Sequence, residues 1–443
     1  MSELPRGWSV AIIKSVADIN PKHDSTTDRE TEVSFVRMPA VDEHLGVITT
    51  PDIKPLKDVW KGFTHFAEGD VIFAKITPCM ENGKTAVARG LNNGLACGST
   101  EFHVLRPTEA LNADYIWRYL RQKSFRAEAE AAMTGAVGQR RVPKPFLEER
   151  ELHLPPIAEQ RRIVAKLDRL SAHSAAARDH LAHTTKLATR AKQAILDAET
   201  VQATVDCGVV TIEEIADVMF DGPFGSNLKS EDYTAEGVRV VRLENIGVME
   251  FRAEKITFIS ERKYKTLQRH SLHPEDIVFS SFVADDVRAA LIPANLGSAI
   301  NKADCFCVRC DKNIVDPKYL LFRLSARRTY LDMEDLVHGA TRPRIGLKHL
   351  KAYKISLPAL EQQKAIVRRI EAAFARIDRM TKDTSRAAHL LDQLDERLLA
   401  KAFRGELVPQ NPEDEPAEAL LTRIREARAT APKQKRGRRK ETA

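Results

Sequence analysis

Cysteine, long apolar runs and an N-terminal export signal are scarce or missing in this sequence. The chain has 443 residues but only six cysteines, too few for a disulfide scaffold, so we expect reduced thiols and a cytoplasmic protein. No stretch of about 18 apolar residues occurs, so no membrane-spanning helix is expected. The first residues lack a charged segment followed by an apolar one, so no signal peptide is expected.

Sequence signatures of nucleotide and metal chemistry are also missing. There is no GxxxxGK[ST] loop and no GxGxxG after a strand, which argues against bound ATP or a Rossmann cofactor. The segment Asp221-Gly-Pro-Phe224 is only faintly similar to the loop of amino-methyltransferases, and no glycine-rich cofactor loop accompanies it. The cysteines between Cys305 and Cys310 alternate as in a buried strand, whereas zinc usually needs a second ligand pair. We therefore expect no catalytic residue, cofactor or metal in this chain.

The composition is that of a globular protein with a cationic surplus. Hydrophobic residues make up 43% and charged residues 30%, so ordinary cores can form. The net charge is +7 and the pI is about 9.0, which permits a nucleic-acid partner without requiring one. Part of the surplus lies in the basic stretch from Lys433 to Lys440.

The most informative feature is an internal repeat. The segment Leu154-Pro-Pro-Ile-Ala-Glu-Gln-Arg-Arg-Ile-Val164 returns as Leu357-Pro-Ala-Leu-Glu-Gln-Gln-Lys-Ala-Ile-Val367, 203 residues later. Weaker matches keep the same order along both halves, which indicates two diverged copies of one unit. The repeat predicts domains at 1–153 and 201–356, long helices at 154–200 and 357–404, and a charged, flexible tail at 405–443.

The sequence pattern of each copy predicts an α+β globule followed by a long helix. Short alternating apolar runs punctuated by glycine, proline and asparagine predict strands. Towards the end of each copy, apolar or small residues recur at 4-3 spacing without proline or glycine, which is typical of a coiled-coil seam. The predicted seam residues are Ile163, Leu167, Leu170, Leu181, Ile195, Ile370, Ile377, Leu391, Leu394 and Leu398.

The two long helices are predicted to pair with each other in antiparallel fashion. Small residues dominate the first seam and large ones the second, so mutual pairing fills space better than self-pairing. The predicted register places Ile163 opposite Leu398 and Leu170 opposite Leu391. The alternative is that each helix packs on its own globule.

Cationic loops in matching places of the two copies are the candidate binding residues. Flexible glycine-rich turns carrying arginine, lysine, serine or asparagine suit phosphates and base edges. The candidate DNA-binding residues are Arg37, Lys75, Lys84, Arg140, Arg141, Ser226, Asn227, Lys229, Arg242, Arg342 and Arg344.

These segments together resemble the specificity subunit of type I restriction–modification systems. The resemblance rests on the duplicated Leu-Pro…Gln…Ile-Val segments and on three loops, and it extends to about residue 408. The loops are Gly222-Pro-Phe-Gly-Ser-Asn-Leu-Lys-Ser-Glu-Asp-Tyr233, Lys75-Ile-Thr-Pro-Cys-Met-Glu-Asn-Gly-Lys84 and Gly339-Ala-Thr-Arg-Pro-Arg-Ile345. The Gly-Pro-Phe-Gly-Ser loop occurs only in the second copy, which suits two domains that read different bases.

The resemblance implies a non-catalytic subunit with two target-recognition domains that read an asymmetric, interrupted site in double-stranded DNA. Paired helices would set the gap and dock two modification subunits, which would bind S-adenosylmethionine and methylate adenine. Restriction subunits would add cleavage that depends on ATP and Mg²⁺. Two alternatives stay open: a recognition subunit of a stand-alone or combined type II restriction-methylation enzyme, and a coiled-coil adaptor that binds no DNA.

Overall fold

The chain folds into two compact domains that share the two long helices. The computed structural model describes residues 4–43, 45–136, 138–283, 286–336 and 343–430. The first domain comprises Met1–Asp179 with Ala388–Ala443, and the second comprises His180–Ala387. Each long helix is a single element of 44 residues, Ile157–Thr200 (the central helix) and Leu360–Phe403 (the C-terminal helix).

The described residues of the first domain form two four-stranded sheets and one strand pair. The antiparallel sheet has the order Ala17–Ile19, Phe102–Pro107, Val71–Ala74, Thr85–Val87. The mixed sheet has the order Asp52–Pro55, Glu32–Val36, Leu95–Gly98, Thr64–Ala67. Ser9–Ile12 pairs with Glu151–Leu154. The short helices are Ile13–Val16, Leu56–Val59, Ala113–Leu120, Lys123–Ala131 and Lys144–Glu149.

The described residues of the second domain repeat this plan, with a fifth strand in the mixed sheet. Its antiparallel sheet has the order Ala216–Phe220, Cys305–Cys310, Ile277–Ser280, Ala289–Leu291. Its mixed sheet has the order Tyr233–Thr234, Phe258–Ile259, Val238–Val241, Ala299–Asn301, Ser271–Leu272. Val209–Thr211 pairs with Lys354–Ser356. The short helices are Glu261–Thr266, Pro317–Leu324, Arg327–Glu334 and Leu347–Lys351. The predicted α+β class with two repeated globules and paired long helices is confirmed.

Equivalent aromatic residues anchor the two cores. Tyr115 and Tyr319 are fully buried, and each donates its hydroxyl hydrogen to a backbone carbonyl just before the long helix of its own domain, at 3.0 and 3.3 Å. Phe73 and Phe279 occupy the corresponding central strands and are likewise buried. The two cores are therefore built on equivalent aromatic positions, as expected for two copies of one unit.

Polar contacts within each domain show that the two long helices run antiparallel. In the first domain the Ser174 hydroxyl donates to Asp395 at 2.8 Å, and Arg178, four residues later, lies 2.9 Å from Asp392, three residues earlier. In the second domain Lys192 lies 2.5 Å from Asp378. Mutual pairing is thus confirmed, while the ends Ile163 and Ile370 are buried in the core of their own domains, as the alternative expected.

The predicted register of the pair is wrong by about two helical turns. It would place Ser174 opposite Ala387, whereas Ser174 bonds to Asp395. A shift of about one heptad returns equivalent seam positions to the interface, so apolar spacing alone cannot distinguish the two registers. The interhelical hydrogen bond and ion pairs, which periodicity does not encode, distinguish them.

Exposure along the predicted seam follows from this register. Leu394, predicted in the seam, is 46% exposed, so that assignment is wrong. The neighbouring Asp395 faces the partner helix instead. Of the other predicted seam residues, Ile163, Leu167 and Ile370 are buried, and Leu170, Leu181, Ile195, Ile377, Leu391 and Leu398 are partly buried.

The prediction of a flexible tail fails for residues 405–430. The tail helix Ala417–Thr430 buries Leu420, Leu421 and Ile424 in the core of the first domain. The Ala417 amide donates to the Gly7 carbonyl at 2.9 Å, which joins the two ends of the chain. The amphipathic stretch outweighs the surrounding charge, because one apolar face is enough to dock a helix. The basic stretch from Lys433 lies outside the described residues.

Candidate nucleic-acid interface

In the second domain, the loop of residues 221–229 is held against a backbone that only glycine could approach. A Cβ on Gly222 would lie 2.1 Å from the carbonyl carbon of Lys302. The Lys302 ammonium donates to the Leu228 carbonyl at 2.6 Å, and His270 donates through Nδ1 to the Asp221 carbonyl at 2.9 Å. The loop is therefore anchored at both ends.

The predicted residues at the tip of this loop face solvent. Ser226 and Asn227 are exposed in a short 3₁₀ turn. Lys229 is also exposed, and its ammonium lies 3.3 Å from the Glu231 carboxylate. A rigidly anchored loop that presents hydroxyl, amide and ammonium groups has the donors and acceptors needed to contact base edges and phosphates.

A cationic and aromatic cluster adjoins the loop. The Arg242 guanidinium and the Lys302 ammonium lie 5.7 and 5.9 Å from the centre of the Tyr233 ring. Arg242 also lies 3.2 Å from Glu244. Sequence reasoning named Arg242 but missed Lys302 and Tyr233, because only the fold brings them to the loop.

Asp221 is the first residue of the loop, and burial raises the pKa of its carboxyl to about 6. The negative charge of Asp304 raises that pKa further, and the Gly222 amide, which donates to Asp221 at 2.7 Å, opposes the rise. Asp304 itself lies 3.5 Å from Arg344. A cleft of about 540 Å³ is lined by Asp221, Phe224, Asp304 and Arg344 among others.

In the first domain, two of the predicted loops are joined. The Thr77 amide donates to the Arg140 carbonyl at 3.1 Å, and the Val142 amide donates to the Lys75 carbonyl at 2.9 Å. Burial lowers the pKa of the Lys75 ammonium. The fold therefore gathers Lys75, Arg140 and Arg141 at one place.

The other two predicted cations of the first domain have structural partners. Lys84 is mostly buried and donates to the Val41 carbonyl at 2.8 Å. Arg37 is exposed and lies 2.8 Å from Asp52. Arg342 lies outside the described residues.

An arginine–carboxylate pair recurs at the same place in both domains. Arg141 binds Glu101 through two hydrogen bonds of 2.8 and 2.9 Å, and Arg344 lies 3.5 Å from Asp304. Arg344 follows Arg141 by 203 residues, and Asp304 follows Glu101 by the same number. This is also the offset between the duplicated Leu-Pro segments. Each pair joins the segment before the domain's last short helix to its antiparallel sheet. The constant offset marks Glu101 and Asp304 as equivalent positions of the two copies, whereas their pairing with arginine is visible only in the fold.

Both domains match one protein family. A family model described as the type I restriction modification DNA specificity domain matches residues 5–181 and again residues 205–387. The chain belongs to this family. The resemblance noted from the Leu-Pro segments and loops is thereby confirmed, and the two globules are two specificity domains.

Curated relatives divide into local and full-length matches. The EcoAI specificity subunit of Escherichia coli is 43% identical over 169 residues, which are 38% of this chain and only 28% of that relative. The EcoKI specificity subunit of Escherichia coli strain K12 is 24% identical over 99% of both chains. High identity is thus confined to part of the chain, whereas weak similarity extends along it.

Solved structures share the fold. A structure of a type I R-M system, described in terms of complex assembly and conformational transition, aligns over 92% of this chain and 100% of its own with a TM-score of 0.74 and 22% identity. The HsdS subunit from Thermoanaerobacter tengcongensis aligns over 92% and 99% with a TM-score of 0.62 and 23% identity. Among the helices of the described residues, none is long and apolar enough to cross a lipid bilayer.

Proposed function

We propose that this chain is the DNA-recognition subunit of a type I restriction–modification complex and reads an asymmetric, bipartite site. The observation that carries the proposal is that both domains match the DNA specificity family while their loops differ. Two unlike readers in one chain select two unlike half-sites, whereas two identical readers would select a symmetric one.

The loops supply the difference. The second domain presents Ser226 and Asn227 on the anchored Gly-Pro-Phe-Gly-Ser loop. The first domain has no such motif and instead joins Lys75 to the segment carrying Arg140 and Arg141. Polar groups on rigid loops read base edges, and the nearby cations fix the position on the phosphates.

We assign the methylation and cleavage reactions to partner subunits. We propose that two modification subunits bind S-adenosylmethionine and methylate adenine, and that restriction subunits use ATP and Mg²⁺ for cleavage. The long helices are proposed to dock the modification subunits and to set the gap between the half-sites.

The test is to map methylated adenines in the host genome with and without this gene. We expect a single bipartite motif that disappears on deletion. Replacing residues 1–153 by those of another specificity subunit should alter one half of that motif and leave the other unchanged. Simultaneous loss or change of both halves in an active complex would contradict two independent readers.

A matched pair of variants assigns each half to a domain. Asn227→Ala is expected to change methylation at one half-site, and Arg140→Ala at the other. Asn313→Ala, at an exposed position beyond the far end of the strand Cys305–Cys310, serves as the control. A DNA affinity of the reconstituted complex that falls steeply with salt supports phosphate contacts, whereas salt-independent behaviour would favour a protein adaptor.

A further inference from the structure

Three potential metal ligands meet in the first domain although they are far apart in the sequence. His23 follows the strand Ala17–Ile19, whereas His65 and Cys97 are direct cross-strand partners in the mixed sheet. One ligand atom from each of the three residues lies within 4.8 Å of the others. All three are buried, with exposures of 7%, 2% and 0%.

The hydrogen bonds of the two imidazoles place the hydrogen on the same ring nitrogen of each. His23 donates through Nε2 to the Ala96 carbonyl at 2.9 Å, and His65 donates through Nε2 to the Trp60 carbonyl at 2.8 Å. A carbonyl oxygen can only accept, so Nε2 carries the hydrogen in both rings and Nδ1 carries a lone pair. Histidines that bind metals typically use this arrangement, in which a backbone carbonyl fixes the tautomer.

We propose that His23 Nδ1, His65 Nδ1 and Cys97 Sγ form a zinc site with a fourth position for a water molecule. Imidazole and thiolate ligands together suit Zn²⁺ better than Mg²⁺ or Ca²⁺, which prefer oxygen. The Nδ1 atom of His65 otherwise accepts only a long hydrogen bond of 3.3 Å from the His23 amide among the described residues. Binding of the metal replaces that contact.

Burial has opposite effects on the two kinds of ligand, since it favours the coordinating form of the histidines and the protonated form of the cysteine. Burial lowers the pKa of both His23 and His65, which keeps the neutral, coordinating form of each ring. Burial raises the pKa of the Cys97 thiol to about 12, and the positive charge of Lys22 opposes the rise. A bound Zn²⁺ stabilises the thiolate directly and releases the thiol proton to solvent.

The site has a structural role in this proposal. Residues 20–31 contain no helix or strand and connect two strands of different sheets. The rings of His23 and His65 already stack with their centres 4.7 Å apart. A metal ion shared by His23 and the two strand residues fastens this connection to the mixed sheet.

Among its described residues the second domain lacks such a cluster, and it therefore provides an internal control. At the equivalent register of its mixed sheet, Ser271 pairs with Ile300, where the first domain pairs His65 with Cys97. A serine hydroxyl and an isoleucine side chain offer no comparable ligands. The proposal therefore requires one metal ion per chain and not two.

The experiment uses the full chain, stripped of metal with a chelator and titrated with Co²⁺ and then Zn²⁺. We expect one Co²⁺ per chain with a near-ultraviolet thiolate-to-cobalt absorption, which Zn²⁺ displaces. Cys97→Ser and His65→Asn should each abolish that absorption. Cys305→Ser, which alters a cysteine equally buried in the second domain, should retain it. A wild-type chain without the thiolate absorption, or a Cys97→Ser variant that keeps it, would overturn the proposal.

X-ray absorption of the zinc-loaded wild-type chain gives a test that does not depend on folding of the variants. We expect one sulfur at about 2.3 Å and two imidazole nitrogens at about 2.0–2.1 Å from the metal. A shell made only of oxygen and nitrogen would exclude Cys97 and with it the site.

Discussion

Gln160 and Gln363 make the same three hydrogen bonds in the two domains. Each amide oxygen accepts from the backbone amide of the residue that caps a neighbouring helix, at 2.8 and 2.9 Å. Each amide nitrogen donates to two carbonyls, at 2.8–3.1 Å. The partners are Asn112, Ala110 and Pro155 in the first domain and Asp316, Ile314 and Pro358 in the second. This glutamine fastens the start of the long helix to its domain, which explains its place in the duplicated segment.

Replacement of either glutamine by leucine should destabilise one domain only. Both side chains are completely buried, so the change leaves three backbone groups without their partner, at a cost of about 3 kcal/mol. Scanning calorimetry should show a transition lowered by about 6–12 °C for Gln160→Leu, and a different transition lowered for Gln363→Leu. Gln362→Leu, at the exposed neighbouring position, should leave both transitions in place. Equal effects of the two buried substitutions on one common transition would contradict separate anchoring.

The tail helix should contribute to the stability of the first domain. Leu421 is 1% exposed and packs in its core, so Leu421→Ala should cost about 2–5 kcal/mol. Urea unfolding followed by tryptophan fluorescence measures this, because Trp8, Trp60 and Trp117 all lie in the first domain. Leu394→Ala removes an exposed leucine and should change the stability by less than about 0.5 kcal/mol. If both variants unfold at the wild-type urea concentration, the tail does not dock in solution.

The pKa of Asp221 predicts a pH dependence for the second domain. Folding raises this pKa from 3.8 to about 6, because burial disfavours the carboxylate. The unfolded chain therefore loses this proton at lower pH than the folded one, so the stability falls as pH rises from about 4 to about 6. Asp221→Asn retains an acceptor for the Gly222 amide but carries no charge.

Calorimetry of Asp221→Asn from pH 4 to pH 8 tests the direction of this effect. The variant should match the wild type near pH 4 and unfold at a higher temperature above pH 6, in the transition that Gln363→Leu identifies. Asp217→Asn, at an exposed position of the same domain, should show no such divergence. A variant that is less stable than the wild type at pH 8 would refute the assigned cause.

The repeat, the fold class and the long helices were predictable because they leave local or periodic marks in the sequence. The Leu-Pro segments return at one offset, and the seam spacing marks the helices. The interhelical register was not predictable, because a shift by one heptad leaves the apolar pattern of the seam unchanged. Polar contacts such as that of Ser174 with Asp395 determine the register. The cluster of His23, His65 and Cys97 left no spacing signal, because cross-strand pairing assembles it.

In the candidate interface, too, some features were predictable from the sequence and others were not. Glycine, asparagine and cationic residues identify the loop of residues 221–229 as a binding element, and the structure places its tip in solvent. The sequence does not reveal that Arg141 is neutralised by Glu101, because the two residues are 40 positions apart and meet only through the fold. Charge counts therefore overestimate how many cations are available to a phosphate.

Insertion of one heptad into each long helix, at the same level of the pair, should widen the recognised gap. Seven residues add about 10 Å at 1.5 Å per residue, which corresponds to about three base pairs of duplex at about 3.4 Å each. Both contact sets, Arg178 with Asp395 and Lys192 with Asp378, keep their register because a heptad restores the seam. Methylation mapping should show the same two half-sites with a longer gap.

Insertion into the central helix alone puts the two contact sets out of register with each other, so this variant should lose stability instead of gaining a new gap. An unchanged gap in a stable double-insertion variant would show that the helices do not set the spacing.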